Sequence, residues 1–291
     1  NIGTIAPLEF IENQDIDGCF TPENEIGSYT GIYTLSSDSM DAHPETNIAS
    51  FGFETTEFTF AKESGGTQTI APGFLDWDFG EPHSWAFGNF YHIVKGSEED
   101  PKVYARSGTF SIGNADESNV AGEIVSLFLY KWNEDTNNDG NMDLDERTKV
   151  GYGHYVIEGT ELPLDLIKLP LIRYPDGDPD EPQSIILESD QDYVLMLEYT
   201  TETTTTLEFV ASNKFDYSSQ ILLSELNSSP RYASMLGVNG DLDSVAYNSV
   251  GFGRDIVPVV RLNLSDELTK TEHIITNDVS LTLAPNPASN A

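Results

Sequence analysis

The sequence contains a single cysteine, Cys19, in 291 residues, so no disulfide can form within the chain. Cations are scarce as well: 14 Lys and Arg stand against 49 Asp and Glu, a formal net charge of -35. A surface of that sign repels phosphate backbones and anionic membrane faces, which sets nucleic acid aside as a partner. No apolar run approaches the roughly 18 residues that a membrane-spanning helix requires. No segment repeats its apolar residues at a 3.6-residue period between caps. Leu162 to Leu171 is apolar, but Pro163 and Pro170 make it a poor helix.

Catalytic signatures are missing too. The sequence has no H-E-x-x-H, no G-x-S-x-G and no glycine-rich phosphate loop. The histidines His43, His83, His92, His154 and His273 are scattered without ligand spacing, and Cys19 lies near a terminus as structural or incidental cysteines do. A glycosidase needs two carboxylates at a set separation, but so many acids make any pair uninformative. The reading is that the chain is not an enzyme. It shows no repeat at a fixed period. It begins at Asn1 and shows no signal peptide, which leads to the expectation of a mature fragment of a longer protein.

What the sequence does have is strand signal. Ile48 to Phe60, Val103 to Ile112, Glu123 to Trp132, Tyr152 to Ile157, Ser184 to Leu187 and Tyr193 to Tyr199 are rich in β-branched and aromatic residues. Thr206 to Ala211, Ser244 to Phe252 and Ile256 to Leu264 continue the series. Several alternate apolar and polar positions, as half-buried antiparallel strands do. Turn clusters separate them: Ser64-Gly65-Gly66, Gly96 to Pro101, Asp176-Gly177-Asp178-Pro179 and Asn239-Gly240-Asp241. With 38% hydrophobic residues a sizeable core can form. The expected fold is all-β, an antiparallel β-sandwich of jelly-roll type. Residues 28–265 form its body, residues 1–27 an N-terminal segment or linker, and residues 266–277 a second linker.

One loop carries chemistry. Asp135, Asn137, Asp139, Gly140, Asn141, Asp143 and Glu146 match the twelve-residue pattern D-x-[DN]-x-[DN]-G followed, after five intervening residues, by Glu. Ca²⁺ is a hard cation that takes six to eight oxygen ligands from a tightly wound loop. Asp135, Asn137 and Asp139 would offer side-chain oxygens, Asn141 its backbone carbonyl, Asp143 a direct or water-mediated contact, and Glu146 both carboxylate oxygens. Gly140 permits the sharp turn, and Met142 stands where such loops tuck an apolar side chain inward. This loop resembles that of the EF-hand family, but strands rather than helices flank it, so no calcium-sensor switching is implied. The expected role of Ca²⁺ is structural, fixing the register of the two strands that the loop joins. Asp176, Asp178, Asp180 and Glu181 form a second acidic loop, weaker because of its prolines and irregular spacing; Asp241 and Asp243 are weaker still.

Phe74 to Tyr91 is unusually aromatic. Trp77 and Phe79, like Trp85 and Phe87, lie two apart, so each pair can face one core. The alternative is an exposed platform of Trp77 and Trp85 that stacks on sugar rings beside Asp76, Asp78 and His83.

The last stretch, Val279 to Leu283 followed by Pro285-Asn286-Pro287, resembles the start of the C-terminal sorting domain of the type IX secretion system of Bacteroidota. The likeness spans residues 278–291 and implies export across the outer membrane, with release or anchoring at the surface. Gly108 to Trp132 with the acidic loop is similar to β-sandwich domains of large Bacteroidota surface proteins, which mostly lack a defined activity. Asp38-Ser39-Met40 and Asp243-Ser244-Val245 resemble the O-glycosylation sequon of the same phylum. The expectation is a secreted, calcium-stabilised structural or adhesive domain, or a unit of a filament or adhesin. Its expected partners are calcium, further copies of itself or other surface proteins, and glycans. A carbohydrate-binding module and an accessory domain of a secreted hydrolase are the alternatives.

Overall fold

A computed structural model describes residues 25–36, 44–63, 67–70, 83–93, 103–137, 139–178, 184–201, 207–212, 234–238, 242–248 and 256–265. The chain divides into two compact units, Asn1–Glu57 and Phe58–Ala291. In the first, β1 (Gly27–Thr34) and β2 (Ile48–Thr55) pair antiparallel from Gly27 opposite Thr55 to Thr34 opposite Ile48. A 3-10 turn, Pro44–Asn47, leads into β2, and Leu35 N–H donates to the Asn47 carbonyl at 2.8 Å.

The second unit holds the remaining strands. They are β3 (Thr59–Phe60), β4 (Thr67–Ile70), β5 (His83–Ile93), β6 (Val103–Phe110), β7 (Ile124–Trp132), β8 (Arg147–Val156) and β9 (Ile167–Pro170). After them come β10 (Ile172–Arg173), β11 (Ile185–Leu187), β12 (Gln191–Thr201), β13 (Phe209–Ser212), β14 (Ser234–Val238), β15 (Val257–Pro258) and β16 (Val260–Ser265). One sheet runs β10-β8-β7-β12-β5-β14. A second runs β11-β6-β16-β3, with β9 also on β6, and a third runs β15-β13-β4. Every pairing is antiparallel. Among the described residues there is no α-helix, and no helix long and apolar enough to cross a membrane.

The fold is an antiparallel all-β sandwich. From β5 to β12 the chain passes from sheet to sheet at each connection except the β7–β8 hairpin, the winding habit of a jelly roll. Period-two alternation decides which side chains meet. Val125, Leu127 and Leu129 of β7, Tyr193, Leu195, Leu197 and Tyr199 of β12, and Trp85, Phe87, Tyr91 and Ile93 of β5 face inward. There they meet Ala105, Phe110, Val260, Leu262 and Leu264 from the opposite sheet. Hydrogen bonds cross the same gap. Asn89, fully buried, donates through Nδ2 to the Pro258 and Val260 carbonyls, both at 2.9 Å. A buried amide satisfied in this way ties one sheet to the other.

The six-stranded sheet has a second covered face. Ala86, Phe90, Tyr130, Trp132, Val194, Met196 and Met235 point away from the main core into a smaller cluster, closed over by Met142, Leu242 and Tyr247. Residues 193–199 of β12 are therefore buried on both faces. A β-bulge between β7 and β8 sorts the faces of β8: Lys149 lies opposite Tyr130 and Gly151 opposite Leu129, which leaves Val150 as the extra residue. Before the bulge, Arg147 and Lys149 share the outer face with Trp132 and Tyr130. Beyond it, Gly151 and Gly153 oppose the inward residues Leu129 and Leu127. Re-aiming side chains is what bulges do.

Two stretches differ from their sequence patterns. Ser244 to Phe252 reads as a strand, but its described part is a turn over 242–244 with isolated bridges at Tyr247 and Asn248. Those bridges pin it to Met142 on one side and Leu236 on the other, so it has no sheet of its own. The strand expected from Tyr152 begins at Arg147. Long charged side chains with buried stems disguise its first turn as loop.

Candidate metal loop and the buried polar cluster beneath it

The β7–β8 hairpin places the acidic loop. β7 ends at Trp132 and β8 begins at Arg147, directly after Glu146, so the loop joins two adjacent strands of the six-stranded sheet. Asn133 N–H donates to the Glu146 carbonyl at 2.6 Å and closes its neck.

All six expected ligand residues, Asp135, Asn137, Asp139, Asn141, Asp143 and Glu146, lie in this loop, where their side chains and amides hold one another. Glu146 is 1% exposed. Its Oε1 accepts from Thr136 N–H at 2.6 Å and from the Thr136 hydroxyl at 3.0 Å, and its Oε2 from Asp143 N–H at 3.3 Å. Asp135 Oδ2 accepts from Gly140 N–H at 3.1 Å. Asp135 Oδ1 is buried without a hydrogen-bond partner. Gly140 sits at φ 77°, a left-handed conformation that glycine adopts without strain. Asn137 Nδ2 donates to Asp139 at 3.2 Å and to Asp143 at 2.9 Å, so an amide group lies between two carboxylates. Asp139 Oδ1 accepts from Asn141 N–H at 2.8 Å. Loss of solvent, with the charges of Asp139 and Glu146, raises the Asp143 carboxyl above its ordinary range. Among the described residues no three His, Cys, Asp or Glu side chains converge closely enough to hold a metal ion.

Beneath the loop lies a polar cluster that no local pattern announces. Met142, fully buried, exchanges two backbone hydrogen bonds with Tyr247, at 2.9 and 3.1 Å. The Tyr247 hydroxyl donates to Glu198 Oε1 at 2.7 Å, and the Tyr130 hydroxyl donates to the same oxygen at 2.9 Å. Arg147 stacks over Tyr247, 4.0 Å from the ring centroid, and donates through Nη2 to the Leu242 carbonyl at 2.9 Å. Lys149 Nζ lies 3.8 Å from the centroid of Phe128 and 3.3 Å from Asp243. Burial raises the Glu198 carboxyl above its usual range, against the opposing pull of the two hydroxyls, Lys149 and Arg147. Burial and the neighbouring Glu198 hold both phenols protonated. Glu198 reads in the sequence as an ordinary solvent-facing position of an alternating strand. Among the described residues, the return of 242–248 over that face, with Tyr247 on its carboxyl, makes it interior.

The other sequence candidates are dispersed. Trp85 is 1% exposed and packs with Phe87, Tyr199 and Phe209, so it belongs to the core and offers no ring to solvent. Trp77, Phe79, Asp76 and Asp78 lie outside the described residues. So do Cys19, His43, His273, Asp180, Glu181, Asp241, the tripeptide Asp38-Ser39-Met40 and the C-terminal stretch 278–291. Asp176 and Asp178 are exposed. His92 contacts Asp192 at 2.7 Å and His154 contacts Ser126 at 2.7 Å, pairings local to the sheet surface.

No protein-family model matches the chain, and no curated protein is significantly similar to it. The class is accordingly set by the fold: an antiparallel all-β sandwich.

Proposed function

We propose that the chain is a secreted, calcium-stabilised structural or adhesive domain of a bacterial cell-surface protein, in which one Ca²⁺ ion stiffens the β7–β8 hairpin. The observation that carries this reading is Asp135 Oδ1. It is a carboxylate oxygen buried without a partner, in a loop whose remaining donors are hard oxygens. An unpaired buried carboxylate oxygen is costly, and a cation is the partner that a loop of this composition suits. The side-chain oxygens of Asp135, Asn137, Asp139, Asp143 and Glu146, which do not converge in this arrangement, would draw together to hold the ion, with Asn141 adding its carbonyl. The Asn137 amide, now between Asp139 and Asp143, would present its oxygen instead of its nitrogen.

The ion would supply positive charge and geometry. Its place between adjacent strands gives it a mechanical role: it would stiffen the connection between β7 and β8. A net charge of -35 favours association with divalent cations generally, and an exterior location supplies calcium. Export rests on the resemblance of residues 278–291 to a type IX sorting domain. Self-association, other surface proteins and glycans are the partners this reading admits. With Trp85 in the core, the aromatic stretch lends the carbohydrate-binding alternative no support from its described residues.

The test is thermal unfolding with about 2 mM Ca²⁺ and with chelator, for the wild type and for Glu146→Gln. For an extracellular-type affinity of about 10⁻⁴ to 10⁻³ M, mass action gives roughly 0.6–1.8 kcal/mol of added stability. In a domain of this size that is a rise in Tm of about 1–7 °C, absent in the variant. Identical melting curves in both conditions would overturn the calcium reading.

A further inference from the structure

We infer that the loop is a clasp: an ion held at residues 135–146 locks the segment 242–248 across the outer face of the six-stranded sheet. This deepens the calcium reading and rests on it. The segment has no sheet of its own and is held at two places. Leu236 of β14 and Asn248 exchange backbone hydrogen bonds at 2.9 and 2.7 Å. The preceding residue, Tyr247, exchanges two on the opposite side with Met142, which lies inside the loop between the expected ligands Asn141 and Asp143. Met142 is thus flanked on both sides by groups an ion would immobilise, while its own N–H, C=O and fully buried side chain engage the strap and the cluster beneath it. Fixing the loop fixes the strap.

The strap has something to guard. Tyr247 and Leu242 cover Tyr130, Met196 and the Glu198 carboxyl. Arg147, next in the chain to Glu146, reaches under the strap to the Leu242 carbonyl. The strap therefore touches the hairpin at two points, inside the loop through Met142 and directly after it through Arg147. Linkage requires the effect to be reciprocal: whatever holds the strap also tightens the ion. Tyr247, which offers no ligand, becomes a determinant of calcium affinity.

The experiment uses the full chain. Calcium affinity is measured by calorimetry with CaCl₂, and backbone hydrogen exchange is followed in saturating Ca²⁺ and in chelator. With Ca²⁺, the amides of Tyr247 and Asn248 are expected to exchange roughly 5- to 30-fold more slowly, alongside those of the loop, a typical range for coupling between two sites. Tyr247→Ala is expected to weaken the calcium Kd by a similar factor, and Tyr247→Phe, which keeps the ring, by much less. Binding that protects the loop but leaves 242–248 unchanged, or an unaltered Kd in Tyr247→Ala, overturns the clasp and leaves the calcium site standing. An absence of calorimetric binding overturns both. The wild-type exchange comparison does not depend on any variant folding.

Discussion

Met142→Ala tests whether the loop is anchored by packing before any ion is considered. The Met142 side chain is fully buried among Tyr130, Trp132, Met196 and Tyr247, although it belongs to a loop rich in acids. Removing a buried methionine side chain to the β-carbon typically costs about 2–5 kcal/mol, the spread reflecting how far the surroundings collapse. Here the walls are strands β7 and β12, paired on both sides, so collapse is limited and a cost of about 3 kcal/mol or more is expected. Leu144, two residues on, is 54% exposed, and Leu144→Ala should stay within about 0.5 kcal/mol. The assay is urea unfolding in chelator, read by the fluorescence of the buried indoles. A loss of about 3 kcal/mol lowers the midpoint by roughly 1 M or more. A Met142→Ala protein that unfolds with Leu144→Ala and the wild type would show that the loop is not docked without metal, and the packing argument would fail.

Further outcomes follow from the same contacts. Gly88→Ala should destabilise severely, by about 3 kcal/mol or more, because a β-carbon there would stand 1.9 Å from the Leu195 carbonyl of the central strand β12; near-wild-type urea stability would refute that register. Gly140→Ala should weaken calcium binding and cost roughly 1 kcal/mol through its left-handed backbone, φ 77°, measured by calorimetry and urea unfolding. Glu198 holds its proton more tightly in the folded than in the unfolded chain, so its contribution is fully present below about pH 4.5 and lost as pH rises through the folded value. Glu198→Gln should therefore gain stability relative to the wild type between pH 5 and pH 8, and parallel urea midpoints across that range would contradict the burial argument.

How much of this was legible depends on where each residue's partner lies in the chain. β7 and β16 are visible because their inward residues alternate with others, and β6 and β12 because their β-branched and aromatic content marks them as strands. β5 is harder to see: Trp85, Ala86, Phe87, Phe90 and Tyr91 are buried on both faces, so alternation is replaced by a continuous aromatic run. β9 hides in an apolar stretch whose prolines argue against a helix without arguing for a strand. The position of the acidic loop between two strands was legible, because its residues stand at fixed local spacing. The cluster beneath it was not. Tyr130, Arg147, Glu198 and Tyr247 come from four separate segments, and nothing in the neighbourhood of Glu198 hints that a chain returning 49 residues later will cover it.

Val150 gives the hairpin a parity. The strand it interrupts carries cations at 147 and 149 and glycines at 151 and 153, all odd-numbered, and without an extra residue all four would point the same way. With it, the guanidinium and ammonium groups go to the aromatic face under the 242–248 segment and the glycines to the side where the opposite sheet presses close: a β-carbon on Gly153 would stand 2.5 Å from the Pro170 carbonyl. Deleting Val150 would remove no contact of the metal loop and would make the ladder more regular. It would also force a choice between sending two cations into the core and turning the whole acidic loop over. A one-residue offset in the strand thus sets on which face of the six-stranded sheet the cations lie relative to the acidic loop.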